Sequence, residues 1–195
     1  MYHTTAWRLA LGLFAGLLAL PAAAADRYVF DKAHTQILFF VDHLGFSRSQ
    51  GEFLDYDGEF RFDPADWSAG SVQLTIRTHS IDMDDYEWNQ HLRGQDFFRV
   101  NEYPEMSFKS LSVESSGENQ GRIHGELTLL GVTRPVTLEV RFNKAGVHPF
   151  NKQYVAGFSA STRIKRSEFG MNYGLPMVGD EVEVMLEVEG FRQSE

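Results

Sequence analysis

Strict alternation of apolar and polar residues, recurring along most of the chain, restricts its fold more than any other feature. Val72, Leu74 and Ile76 alternate with Ser71, Gln73, Thr75 and Arg77, and Ile123, Gly125, Leu127 and Leu129 with Arg122, His124, Glu126 and Thr128. The same holds for Val136, Leu138, Val140 and Phe142, and for Val182, Val184, Leu186 and Val188. Successive strand residues point to opposite faces, so this is the pattern of strands with one buried face. Further strands are predicted near 27–31, 35–43, 52–62, 106–114 and 153–165, for a total of eight or nine. Turn residues such as Asp63-Pro64 and Ser116-Gly117 separate them. Helix is predicted mainly over 82–98, where acids come first and Trp88, His91 and Leu92 recur at helical spacing, with a short turn near 64–67 as a second candidate.

A sheet with one apolar face must hide it, and eight or nine strands can do so by closing on themselves. The expected fold is therefore mainly β: a single antiparallel lipocalin-like β-barrel of about eight strands with one short helical segment. A barrel of that size can hold one small ligand. A two-sheet sandwich is the competing architecture, because periodicity alone does not separate the two.

Residues 1–25 stand outside this pattern. A polar start with Arg8, an uncharged apolar run from Leu9 to Leu20, Pro21, and small residues at Ala23 and Ala25 read as a cleavable signal peptide ahead of Asp26. The run is short for a membrane span of about 20 residues. The expected organisation is a leader over 1–25, one domain over 26–195, and export to the bacterial periplasm. No cysteine is present, which excludes disulfides, thiolate nucleophiles and Cys-ligated zinc. The formal charge of −9 has the wrong sign for a nucleic-acid partner.

Polar residues that share parity with the apolar face are the candidates for a site. Ile37, Phe39 and Val41 lead by parity to His43, and Phe158, Ala160, Thr162 and Ile164 lead to Arg166. Ala160 and Thr162 are small and would leave room inside. His43 and Arg166 at the mouth of an apolar tube are suited to holding a polar head while a lipid tail lies deeper. The competing readings are a strand-end histidine bonded to a carbonyl and an arginine paired with a loop carboxylate. Arg77, His79 and His124 fall on polar faces and read as solvated surface. Catalytic patterns fail: Gly157-Phe-Ser-Ala-Ser161 lacks the second glycine of a nucleophile elbow, and Asp82, Asp84, Asp85 and Glu87 lack the glycine of a calcium loop. No catalytic cofactor or metal is expected.

Several short motifs, weak singly, recur in order over the mature chain. They are Tyr28-Val-Phe-Asp31 with His34, Phe39 to Gly45, His91-Leu92, Asp96-Phe97-Phe98, Gly131-Val-Thr-Arg-Pro-Val136 and Arg166-Ser-Glu-Phe-Gly-Met171. In these the chain closely resembles the YceI-like family of periplasmic polyisoprenoid-binding proteins. Where family members often carry an Arg-Asp pair before the His-Leu, this chain has Asn89-Gln90. The resemblance implies a polyisoprenoid ligand, such as a polyprenyl pyrophosphate or ubiquinone, no established enzymatic activity, and a link to stress responses. Transient membrane contact for lipid exchange and a homodimer are both compatible with it. The alternative function is an enzyme acting on an amphipathic lipid with His43 as general base. A tail of ~40 carbons at about 0.8 kcal/mol per buried CH₂ exceeds the roughly −18 to −21 kcal/mol ceiling of real complexes, so the head group must set specificity.

Overall fold

The computed structural model describes residues 25–194, so the signal-peptide reading falls outside it except at Ala25. Eleven strands form one antiparallel sheet. They are β1 (Asp26–Phe30), β2 (Gln36–His43), β3 (Ser47–Phe53), β4 (Tyr56–Phe62), β5 (Ser71–Arg77), β6 (Ile81–Asp82), β7 (Glu105–Gly117), β8 (Gln120–Leu129), β9 (Val132–Val147), β10 (Tyr154–Lys165) and β11 (Val178–Arg192). Among the described residues there is one α-helix, α1 (Tyr86–Arg93), between β6 and β7.

The sheet closes because β1 pairs with both β4 and β11, with Tyr28 opposite Phe60 on one side and Arg192 on the other. The ring is β1-β4-β5-β7-β8-β9-β10-β11, eight strands, which settles barrel against sandwich. The long β11 does double duty. Its last residues pair with β1, while Val178 to Glu187 pair with β2, which carries β3 and β6 outward as an extension of the wall. Strand β6 pairs only with β3 among the described residues. Between β6 and β7 the gap is filled by α1 and the turns after it, with Leu92 and Phe97 buried beside Leu129, Leu130 and Phe169.

Two expectations need correction. The predicted strand over 52–62 is two strands with a bend at Leu54-Asp55, and β3 starts as early as Ser47. Its inward residues are Ser49, Gly51 and Phe53, of which the first two present no apolar signal; a Cβ at Gly51 would lie 2.3 Å from the Met83 sulfur and the Phe39 ring, so the glycine is needed for that close approach. Helix over 82–98 shrinks to Tyr86–Arg93, since Asp82 is taken into β6 opposite Glu52 and the chain turns at Gly94. The turn near 64–67 is a 3₁₀ turn at Trp67–Ala69, capped by Asp66.

Polar contacts fasten the elements. Tyr56 donates its hydroxyl to the Thr35 carbonyl at 2.9 Å, and Thr35 Oγ1 donates to the Glu189 carbonyl at 3.0 Å. Of the residues assigned to the surface, His79 is exposed, His124 bonds Thr137 at 2.9 Å, and Arg77 pairs with Glu105 and Asp57. Asp85 caps α1 by accepting the Trp88 N–H at 2.8 Å. Asn89 accepts the Met83 N–H at 2.7 Å and donates to Asp82 at 2.8 Å, so amide bonds hold the start of the helix.

Candidate functional site

The barrel interior is not filled. A cavity of about 370 Å³ runs from His43, His91 and Tyr173 at one end toward Trp67 and Val113 at the other. Inward residues such as Phe39, Ala160, Thr162, Val184 and Leu186 remain only half-buried, although the wall shields them from outside. Side chains packed into a native core are normally close-packed and inaccessible; these keep accessible surface because they border the open volume. The lining is overwhelmingly hydrophobic, and its size falls within the roughly 300–1,000 Å³ of small-molecule sites.

Ile37, Phe39, Val41, His43, Phe158, Ala160, Thr162, Ile164 and Arg166 all lie on the cavity wall, where parity put them. The strand register explains the width at mid-height. Ala160 stands between Val140 on β9 and Leu186 on β11, and Thr162 stands opposite Val184, so aliphatic and small side chains, with no aromatic ring, meet across these strands. Near Trp67 the lumen meets an aromatic cluster. Phe62 packs edge-on to Trp67 at 5.5 Å and to Phe158 at 4.9 Å, and Phe142 lies 5.0 Å from Phe62. Tyr28 stacks on Phe60 beneath it at 4.9 Å, and burial pushes the Tyr28 hydroxyl up to about 12.

At the other end Arg166 is only 3% exposed and its guanidinium is committed to the backbone. Nε donates to the Gly179 carbonyl at 2.7 Å, Nη1 to Met171 at 3.0 Å and Nη2 to Val178 at 2.9 Å. These bonds fold the 170–178 loop back over the barrel rim. Arg166 is thus neither a free cation at the mouth nor a partner in a direct ion pair: the nearby Asp180 carboxylate accepts from the Ser167 N–H at 2.9 Å and its hydroxyl at 2.8 Å. Burial lowers the Arg166 pKa from its ordinary value, with the Asp180 charge opposing. Burial works against the Asp180 carboxylate, but the Ser167 bonds and the neighbouring Arg166 charge outweigh it and hold its pKa below the usual range.

His43 sits where β2 ends, opposite Ser47 and Val178, with its ring 6.1 Å from that of Trp88. Beside it His91 packs edge-on to Phe97 at 5.0 Å and to Tyr173 at 5.6 Å. His91 and Tyr173 are exposed to solvent and also line the cavity, which marks them as its entrance. Sequence parity did not identify this pair. His91 carried a signal, the helical spacing it shares with Trp88, whereas Tyr173 lies in an aperiodic loop and carried none. A third group, Asp31, His34 and Glu189, brings its ligand atoms within 4.8 Å of one another. Its contacts are those of a turn: Asp31 accepts from the Ala33 N–H at 2.9 Å and lies 2.7 Å from His34 Nδ1.

Known proteins share this design. A UPF0312 protein of Pseudomonas aeruginosa is 40% identical over 186 residues, covering 94% of this chain and 96% of that one. The crystal structure of Burkholderia cenocepacia BcnA matches with a TM-score of 0.75 and 27% identity, over 82% of this chain and 98% of that one. A polyisoprenoid binding domain from Saccharophagus degradans, implicated in plant cell wall breakdown, shares the fold with a TM-score of 0.63 at 13% identity, over 87% of this chain and 99% of that one. The YceI-like domain matches residues 28–190, nearly every element from β1 to β11, and the chain therefore belongs to the YceI-like family.

Proposed function

We propose that this protein binds a long-chain polyisoprenoid lipid in its lumen and carries or sequesters it in the periplasm without transforming it. The observation that carries the reading is the open, predominantly apolar lumen, about 370 Å³, with His43, His91 and Tyr173 at its solvent-facing end. Phe39, Val41, Phe158, Ala160, Thr162 and Ile164 would hold the tail by burial, and His43 with His91 would meet the head as donors or acceptors. The polyisoprenoid-binding name of the Saccharophagus relative supports the ligand class. A neutral, quinone-like head suits the mouth better than a pyrophosphate. Three nitrogens of Arg166 are spent on carbonyls, and a net charge of −9 opposes an anion.

The test is native mass spectrometry on protein purified from the periplasm, followed by organic extraction of what it carries. A stoichiometric polyprenyl species is expected, its head group deciding between quinone and pyrophosphate. Ala160→Trp should abolish the adduct with little change in thermal midpoint, because the indole enters open volume and displaces no packed side chain. A lipid-free wild type after gentle handling, or equal loading of Ala160→Trp, would count against the reading.

A further inference from the structure

Two loops border the entrance and expose apolar side chains to water. The β2–β3 turn presents Leu44 at 40% exposure and Phe46 at 89%, and the loop before β11 presents Tyr173 at 50% and Met177 at 62%. The Leu44 N–H donates to the Met177 carbonyl at 3.0 Å, so the loops form one continuous rim. Leu44 and Gly45 both have left-handed backbone angles, φ 61° and 73°. Asn-Gly is the usual pair for such a turn, so a leucine here is held in strain and turned outward at once. Residues 43–47 and 169–179 contain no Asp, Glu, Lys or Arg, in a chain that is 23% charged.

We propose that this rim docks the protein on the zwitterionic surface of a lipid bilayer, so that the lumen opens directly onto the membrane. The inference deepens the lipid-carrier reading and rests on it: a tail passing from bilayer to lumen through water would expose all its apolar surface, whereas a seated mouth removes that step. Two arguments favour a bilayer over other occupants. Even at ~250 Å² each, the upper end for a large side chain, the four exposures amount to no more than about 600 Å², short of the ~800 Å² per partner of a standard protein interface, so a second copy is poorly served. Residues 43–47 and 169–179 carry no charge to steer a protein partner or an anionic head group; at the base of the turn the Asp42 carboxylate accepts the Gly45 N–H and Arg48 pairs with Glu183, and the overall charge of −9 repels an anionic head.

The experiment is flotation with phosphatidylcholine vesicles, using periplasm-purified protein whose mass shows that residues 1–25 have been removed. Wild type is expected to float, and Phe46→Ser/Met177→Ser to bind roughly tenfold or more weakly, given the apolar burial each side chain forfeits. Adding phosphatidylglycerol should not strengthen binding. Leu44→Asn guards against misfolding, since asparagine suits the left-handed turn: it should float less while its thermal midpoint holds or rises. Wild type left in solution, variants that float as well as wild type, binding that requires phosphatidylglycerol, or a wild-type dimer in ultracentrifugation that the double variant abolishes would each overturn the proposal. Native mass spectra run in parallel keep the two readings apart. A rim variant that retains its lipid but not the vesicle locates the failure at docking, and a lipid-free wild type that still floats locates it at the carrier reading.

Discussion

Three backbone carbonyls, those of Met171, Val178 and Gly179, converge on Arg166, and without the guanidinium all three would face an apolar wall. Hydrogen bonds to charged donors contribute about 1.5–3 kcal/mol each and do not add fully, so Arg166→Ala should lose about 3–5 kcal/mol in urea unfolding. Arg166→Lys should recover only part of this, because one ammonium cannot span three acceptors in fork geometry. A loss below about 1 kcal/mol would contradict the anchoring role. The facing of this residue was legible in the sequence, from the parity of Phe158 to Ile164. Its partners were not, since they lie in an aperiodic loop whose path depends on the finished barrel. His43 was legible in the same way, while Tyr173 became visible only when that loop was seen to reach α1.

The element that borders the mouth is α1, a short helix in a position where the sheet has no strand to offer. A helix of that length depends on its caps and its packing. Asp85→Ala should cost about 1 kcal/mol, measured as a lowered thermal midpoint, through loss of the Trp88 N–H cap. Trp88 and His91 reach the lumen from this helix, so on the carrier reading the same variant should release an added quinone faster in stopped-flow exchange. Lower stability with an unchanged release rate would separate the helix from ligand release. The helix was legible in its centre but not at its ends: Asp82 reads as a helix-start acid, yet long-range pairing with Glu52 takes it into a strand. Likewise the start of β3 carries no apolar signal, because Ser49 borders the lumen as a small polar residue and Gly51 makes way for Met83 and Phe39.

For the whole molecule, alternation announced a closed or stacked sheet, but closure rests on Tyr28 meeting Arg192 at opposite ends of the domain, and no local pattern encodes that pairing. Small residues at Ala160 and Thr162 were the one sequence hint of an interior with room. Neither the extent of that room nor the aromatic floor at Phe62 and Trp67 could be read before the strands were in register. An interior of about 370 Å³ that side chains leave open makes this fold compressible in a way a packed barrel is not. Pressure favours states that eliminate internal void, with unfolding volumes of roughly −20 to −100 mL/mol that scale with it. The lipid-free protein should therefore unfold at lower hydrostatic pressure than the loaded one, followed by tryptophan fluorescence, even where their thermal midpoints are close. On the carrier reading, the cargo would also serve as the missing part of the core.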